Sequence, residues 1–132
     1  MAISFDKAFG IHQHALTLRT ERAELIAGNI ANADTPGYKA KAMDFKAALA
    51  AAQAGQSGTS LSRTDSRHLA ATSTIEAATA YRLPTQPDTG DGNSVDLQLE
   101  RSLYMQNAME YQASLRFLNG KIKGLLTAIK GE

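Results

Sequence analysis

The chain of 132 residues has no cysteine, no tryptophan and only three prolines. Without cysteine it can form no disulfide, no thiolate-ligated zinc centre and no thiol nucleophile, while reducing and oxidising compartments both stay open. No apolar run approaches the roughly 20 residues that would span a bilayer. The opening stretch MAISFDKAFGIHQHALTL lacks a basic leader, an unbroken apolar segment and a small-residue cleavage site, so no cleaved secretory signal is expected. Charge of one sign is lacking as well: 14 Lys and Arg stand against 13 Asp and Glu. Segments divided at Pro36 and Ser94 balance at +3/−4, +6/−5 and +5/−4. With no basic arm, nucleic acid is not an expected partner, because phosphate binding that survives salt needs clustered cations.

A catalytic constellation is also missing. His12 and His14 are two apart and fall on different faces of a helix, without a third ligand at helical spacing, and His68 is remote. His12 is expected to fill a seam position, His14 to be solvated and His68 to sit in a loop. The serines and threonines lack a G-x-S-x-G elbow, and Asp65, Ser66 and His68 are close enough to read as a local turn. TGDGN (Thr89–Asn93) has neither the Lys-Ser/Thr of a phosphate loop nor a preceding apolar strand, and reads as a turn delivering the chain to a helix cap. No enzymatic activity, cofactor or metal is expected.

What is present is helical periodicity at both ends. Hydrophobic residues make up 43% of the chain, enough for one domain with a modest core. In the last third, Leu97, Arg101, Tyr104, Ala108, Tyr111, Leu115, Leu118, Ile122, Leu125 and Ile129 follow alternating steps of four and three, broken only by Arg101. Asn93 or Ser94 can cap this helix, Asp96 and Glu100 open it, and Lys121, Lys123 and Lys130 lie toward its end, matching the helix dipole. One helix is predicted over 95–130. Gly120 and Gly124 share a face, either as weak helix positions near a fraying end or as a flat patch for another backbone.

At the other end, Phe9, His12, Leu16, Arg19, Ala23, Ile26, Ile30 and Ala33 use the same steps. A second row, which includes Leu18, Arg22, Leu25 and Asn29, widens the stripe beyond what one partner helix would bury. No third or fourth long helix exists to complete a bundle. Between the ends, Phe45–Gln53 is an Ala-rich helix candidate. The Gly- and Ser-rich middle that follows can form little core, with short strands expected near Thr72–Ile75 and Tyr81–Leu83.

The most pointed segment is NIANADTPGYKAKAMDF, Asn29–Phe45. Asn32 and Asp34 compete with helix by bonding local backbone, Pro36 disfavours helical dihedrals at Thr35, and Gly37 permits a positive φ. The first helix therefore stops, and Tyr38 to Asp44 leave in near-alternating, extended fashion.

This segment resembles the N-terminal signature of the rod and hook family of bacterial flagellar axial proteins, in which an Asn-rich helix end runs into TPGY and a basic residue. QPDTGDGNSVDLQLE (Gln86–Glu100) and NAMEYQASLRFLNGKIKGLLTAIKG (Asn107–Gly131) are similar to the matching segments of the family's short proximal-rod members. The resemblance implies an all-α fold: two long antiparallel terminal helices, coiled-coil-like, joined by an extended, partly irregular loop with short strands. Residues 1–35 and 95–132 would be the two helices of one inner-tube domain and 36–94 the connection.

It further implies a structural subunit that polymerises helically into the hollow proximal rod, linking the MS-ring and export-gate end to the distal rod and passing torque. The alternatives are another short rod subunit or a cytoplasmic coiled-coil adaptor or export chaperone. Expected partners are the chain itself, other rod proteins, proteins of the MS-ring junction and export gate, and the type III export apparatus. No membrane insertion is implied; the location is the periplasmic rod. By matching positions, Asn29, Asn32, Asp34, Thr35, Pro36, Gly37 and Tyr38 form the assembly motif. Helix packing or subunit contacts fall to Phe9, Leu16, Leu18, Leu25, Ile26 and Ile30 in the first helix. In the last they fall to Leu97, Tyr104, Tyr111, Leu115, Leu118, Ile122, Leu125 and Ile129.

Overall fold

The computed structural model describes residues 5–56, 78–84 and 90–131. Their order is α1 (Phe5–Ala31), β1 (Lys41–Met43), α2 (Phe45–Gln56), β2 (Thr79–Tyr81) and α3 (Leu97–Lys130). The fold is mostly α. The two terminal helices, about 40 and 50 Å long at 1.5 Å per residue, lie side by side. Their antiparallel register is fixed by contacts of Arg19 with Asn107 and Glu110.

α3 starts two residues later than the sequence predicts, and its cap is Asp96 rather than Asn93 or Ser94. The Asp96 carboxylate accepts from the N–H groups of Gln98 and Leu99, as its charge beside the helix N-terminus favours. The α2 helix extends to Gln56, beyond the expected Gln53, and begins behind Asp44, which accepts from Ala47 N at 3.0 Å. β1 lies in the predicted extended stretch. It pairs antiparallel with β2, Lys41 opposite Tyr81 and Met43 opposite Thr79, so the later strand sits two residues ahead of its expected place. Residues 72–75 and His68 lie outside the described residues.

The small core sits where α2 crosses α1. Leu18, Met43 and Ala48 are buried there, with Leu25, Phe45, Leu49, Ala52 and Ala78 packed around them. Arg19 lies over the Phe45 ring, 4.1 Å from its centroid. Its guanidinium thus bridges this core to α3 through Glu110.

The helix–helix contact uses a row of α3 that apolar spacing does not single out. Glu100 and Asn107 are its only buried members among the described residues. Asn107 donates to the Arg19 carbonyl at 2.8 Å, Arg19 pairs with Glu110, and Arg22 lies 4.0 Å from the same carboxylate. These bonds set register and direction, as buried polar residues do at coiled-coil seams. His14 also departs from its solvated expectation: it is half-buried, and its Nε2 has no partner among the described residues.

Candidate functional site

The end of α1, the extended segment after it and the loop before α3 form one hydrogen-bonded joint. Helix ends leave four carbonyls unmatched, and a chain that stops abruptly must satisfy them nearby. Asn32 meets the first of them: its N–H reaches Gly28 O and Asn29 O, and its side-chain amide donates to Gly28 O at 2.8 Å. Thr35 Oγ1 donates to Asn32 Oδ1. Ala33 N reaches Ile30 O, and the carbonyls of the turn beyond the helix are met from across the chain. Asn93 Nδ2 donates to Asn32 O, Ala33 O and Thr35 O at 2.9, 2.8 and 2.9 Å, while Asn93 Oδ1 accepts from Val95 N.

The next residues are stitched in the same way. Ala40 N donates to Ser94 Oγ, and Ser94 N to Tyr38 O. Gly37 N donates to Asp91 O at 2.9 Å, and Lys39 Nζ reaches Gly92 O at 2.6 Å. The backbone demands glycine at two places here. Gly37 has φ +74, the positive value its turn position requires. Gly92 has φ +76, likewise in the left-handed region, and an added Cβ there would only touch Gly37 Cα at 3.6 Å, so the dihedral sets the demand.

Asn29, fully buried, holds the first residue of β1. Its amide donates to Lys41 O at 2.8 Å and accepts from Lys41 N at 3.0 Å, standing in for a neighbouring strand. The far edge of the ribbon is tied to α3, since Arg82 N donates to Ala40 O and Arg82 Nη1 to Glu100 Oε1 at 2.5 Å. Glu100 is fully buried and its Oε2 has no partner among the described residues, so this guanidinium is what offsets the cost of burying the carboxylate.

Of the expected motif residues, Asn29, Asn32, Thr35, Gly37 and Tyr38 thus meet in the joint, whereas the side chains of Asp34 and Pro36 face solvent. In α1, Leu18 and Ile26 are buried and Phe9, Leu16, Leu25 and Ile30 half-buried. In α3, Leu97 and Leu118 are half-buried. Tyr104, Tyr111, Leu115, Ile122, Leu125 and Ile129 are exposed, forming an apolar flank beside the row that faces α1.

Comparison with known proteins bears on this geometry. A family model described as flagella basal body rod protein matches residues 9–39, which are α1 and the turn that ends it. Flagellar basal body rod protein FlgB of Aeromonas hydrophila is 58% identical over 132 residues, covering 100% of this chain and 99% of that protein. The chain belongs to the FlgB family of flagellar basal body rod proteins. FlgB of Cereibacter sphaeroides (strain ATCC 17029 / ATH 2.4.9) is 46% identical, with 97% of this chain and 98% of the relative covered. FlgB of Escherichia coli (strain K12) is 41% identical, with 98% of each covered.

Several residues of this FlgB-family joint have no local signature. Asn93 reads in sequence as a helix cap, and nothing in its neighbours announces that its amide serves carbonyls about 60 positions earlier. Arg82 and Glu100 likewise carry no spacing that marks them as a pair. The only usable signal is GDGN itself, whose glycines imply a chain bent closely against something.

Proposed function

We propose that this chain is a structural subunit of the proximal rod, polymerising helically into the hollow shaft that joins the MS-ring and export-gate end of the basal body to the distal rod and carries torque. The observation that supports this most directly is the apolar flank of α3. Tyr104, Tyr111, Leu115, Ile122, Leu125 and Ile129 follow helical spacing, yet the chain's own α1 packs on the adjacent polar row instead. Contiguous apolar surface on an exposed helix face marks an interaction site, and neighbouring subunits would bury it.

The joint has the complementary role, fixing the angle at which the β1–β2 ribbon and α2 leave the helical pair. The work is mechanical, and no chemical step or cofactor enters it. Partners are further copies, other rod proteins and the junction and export-gate proteins at the base. The subunit reaches the periplasm through the flagellar type III apparatus.

Deletion of the gene followed by cryo-electron tomography tests the placement: the MS ring and export gate should remain while the rod is lost, and a plasmid copy should restore it. Complete rods in the deletion strain would refute it. Leu115→Asp and Ile122→Asp, both on the exposed flank and supplied on the plasmid, test that surface. A carboxylate buried between subunits costs several kcal/mol unless paired, so both variants should fail to enter basal bodies. Normal incorporation of both would remove the flank from the interface.

A further inference from the structure

Two oppositely charged surfaces of the chain have no partner among the described residues. The first is a groove of about 440 Å³ between α1 and the β1–β2 ribbon, lined by Glu21, Glu24 and Gly28 on one side and by Tyr38, Lys41 and Thr79 on the other. Glu21 Oε2 is buried there without a hydrogen bond among the described residues, and burial together with the charge of Glu24 holds its carboxyl above the usual carboxylate range. Lys41, the one cation among the described residues of the lining, forms no ion pair with either carboxylate; its ammonium lies 5.9 Å from the Tyr81 ring centroid. The groove therefore keeps an acidic side that its own lysine leaves unmatched.

The second surface is the C-terminal end of α3. From residue 111 to residue 131 there is no Asp or Glu, while Arg116, Lys121, Lys123 and Lys130 are all exposed. None of the four forms an ion pair among the described residues. Arg116, Lys123 and Lys130 are seven apart and run along one edge of the exposed apolar flank.

These surfaces cannot meet within one chain. Arg19 lies opposite Asn107 and Glu110, so Glu21 is level with the first half of α3. The Lys121–Lys130 segment is roughly 20 to 35 Å farther along the same helix, at 1.5 Å per residue. We propose that the acidic groove is the docking site for the basic end of α3 from a second copy of the chain, with the Lys123–Lys130 edge seated against Glu21 and Glu24. The inference rests on the rod-subunit function proposed above and names one contact by which such a polymer would grow. Where one groove takes one basic end and the contact is not returned, it is heterologous and leaves a free groove at one end and a free basic end at the other. In a helical rod such a contact propagates, because its rotation does not close. Opposite charge also sets the register between copies and penalises the alternatives.

Charge exchange tests this in a strain lacking the chromosomal gene, by the amount of chain recovered in purified basal bodies. The wild-type copy sets the reference. Glu21→Lys with Glu24→Lys gives a basic groove and a basic end; Lys123→Glu with Lys130→Glu gives an acidic groove and an acidic end. Each alone should enter at least tenfold less than wild type. Co-expressed, the two should recover, because each groove then meets an end of opposite sign, and the quadruple variant should recover alone. A second readout is independent of charge: with no native cysteine in the chain, Glu21→Cys in one copy and Lys123→Cys in another should give a disulfide-linked dimer only when both are present. Normal entry of either reversed variant alone, or no recovery together with no cross-link, overturns the contact. If the wild-type copy itself is absent from basal bodies, the rod-subunit function falls first.

Discussion

Removing the Asn93 amide is the most direct perturbation of the joint. The side chain is almost fully buried and reaches three carbonyls at the end of α1, but an amide carries only two hydrogens, so these contacts amount to two full bonds. A third bond runs from Val95 N to its oxygen. At about 1 kcal/mol net for each, Asn93→Ala should lose about 3 kcal/mol, a large share of the ~5–15 kcal/mol typical of a domain. Asn32 O and Thr35 O keep backbone partners, which limits the loss. Asn93→Asp should be worse than alanine, because it sets a carboxylate against three carbonyl oxygens and offers no donor. Urea denaturation followed by helical ellipticity measures the loss, and amide exchange at Gly37, Tyr38 and Val95 locates it. An alanine variant within ~0.5 kcal/mol of wild type, or an aspartate variant more stable than alanine, would refute the assignment.

At Gly37 an added Cβ meets nothing within 4 Å, so Gly37→Ala isolates backbone strain. It should cost about 1–2 kcal/mol, Gly37→Asn less and Gly37→Val more; equal midpoints across the series would contradict the positive φ. Gly120 and Gly124 are equally open in the single chain, so alanine at both should stabilise the isolated helix by about 1 kcal/mol each. If these variants also lose entry into basal bodies, the two glycines mark a close approach between subunits; normal entry assigns them to the weak helix end. Glu21 binds protons more readily folded than unfolded, so its ionisation costs stability as pH rises from the ordinary carboxylate range through its raised folded value. Glu21→Gln should therefore be more stable than wild type at neutral pH, with the gain vanishing in acid. A gain that persists at low pH would point to a cause other than the charge.

Most of the fold was legible because its signals are local. The stop at NADTPG combines Asn back-bonding, a pre-proline residue and a positive-φ glycine within a few positions, and the chain turns where those demand. The periodicity of α3 was equally plain, yet it says which face is apolar and not what covers it. Arg101 looked like the defect in the seam, while the row one position earlier, starting at Glu100, is the one that turns inward. Its buried polar residues acquire meaning only through Arg82 and Arg19, which lie 18 and 91 residues from their carboxylate partners. Asn93 is the sharpest case: in sequence it is one more cap residue before a helix, and in space it finishes the end of another.

The bonds from Asn93 to the end of α1 span 58 to 61 residues. Closing a flexible loop of that length costs on the order of 3–4 kcal/mol in chain entropy, nearly what the Asn93 bonds return. The Asn93 bonds by themselves are thus close to neutral, and the joint tips toward closed through the bonds that Gly37, Lys39, Ala40 and Ser94 add, once Arg82 finds Glu100 and α3 finds α1. A chain whose last third has not yet emerged can do none of these things. The angle between the helical pair and its side arm is therefore set late, after everything it connects has already arrived.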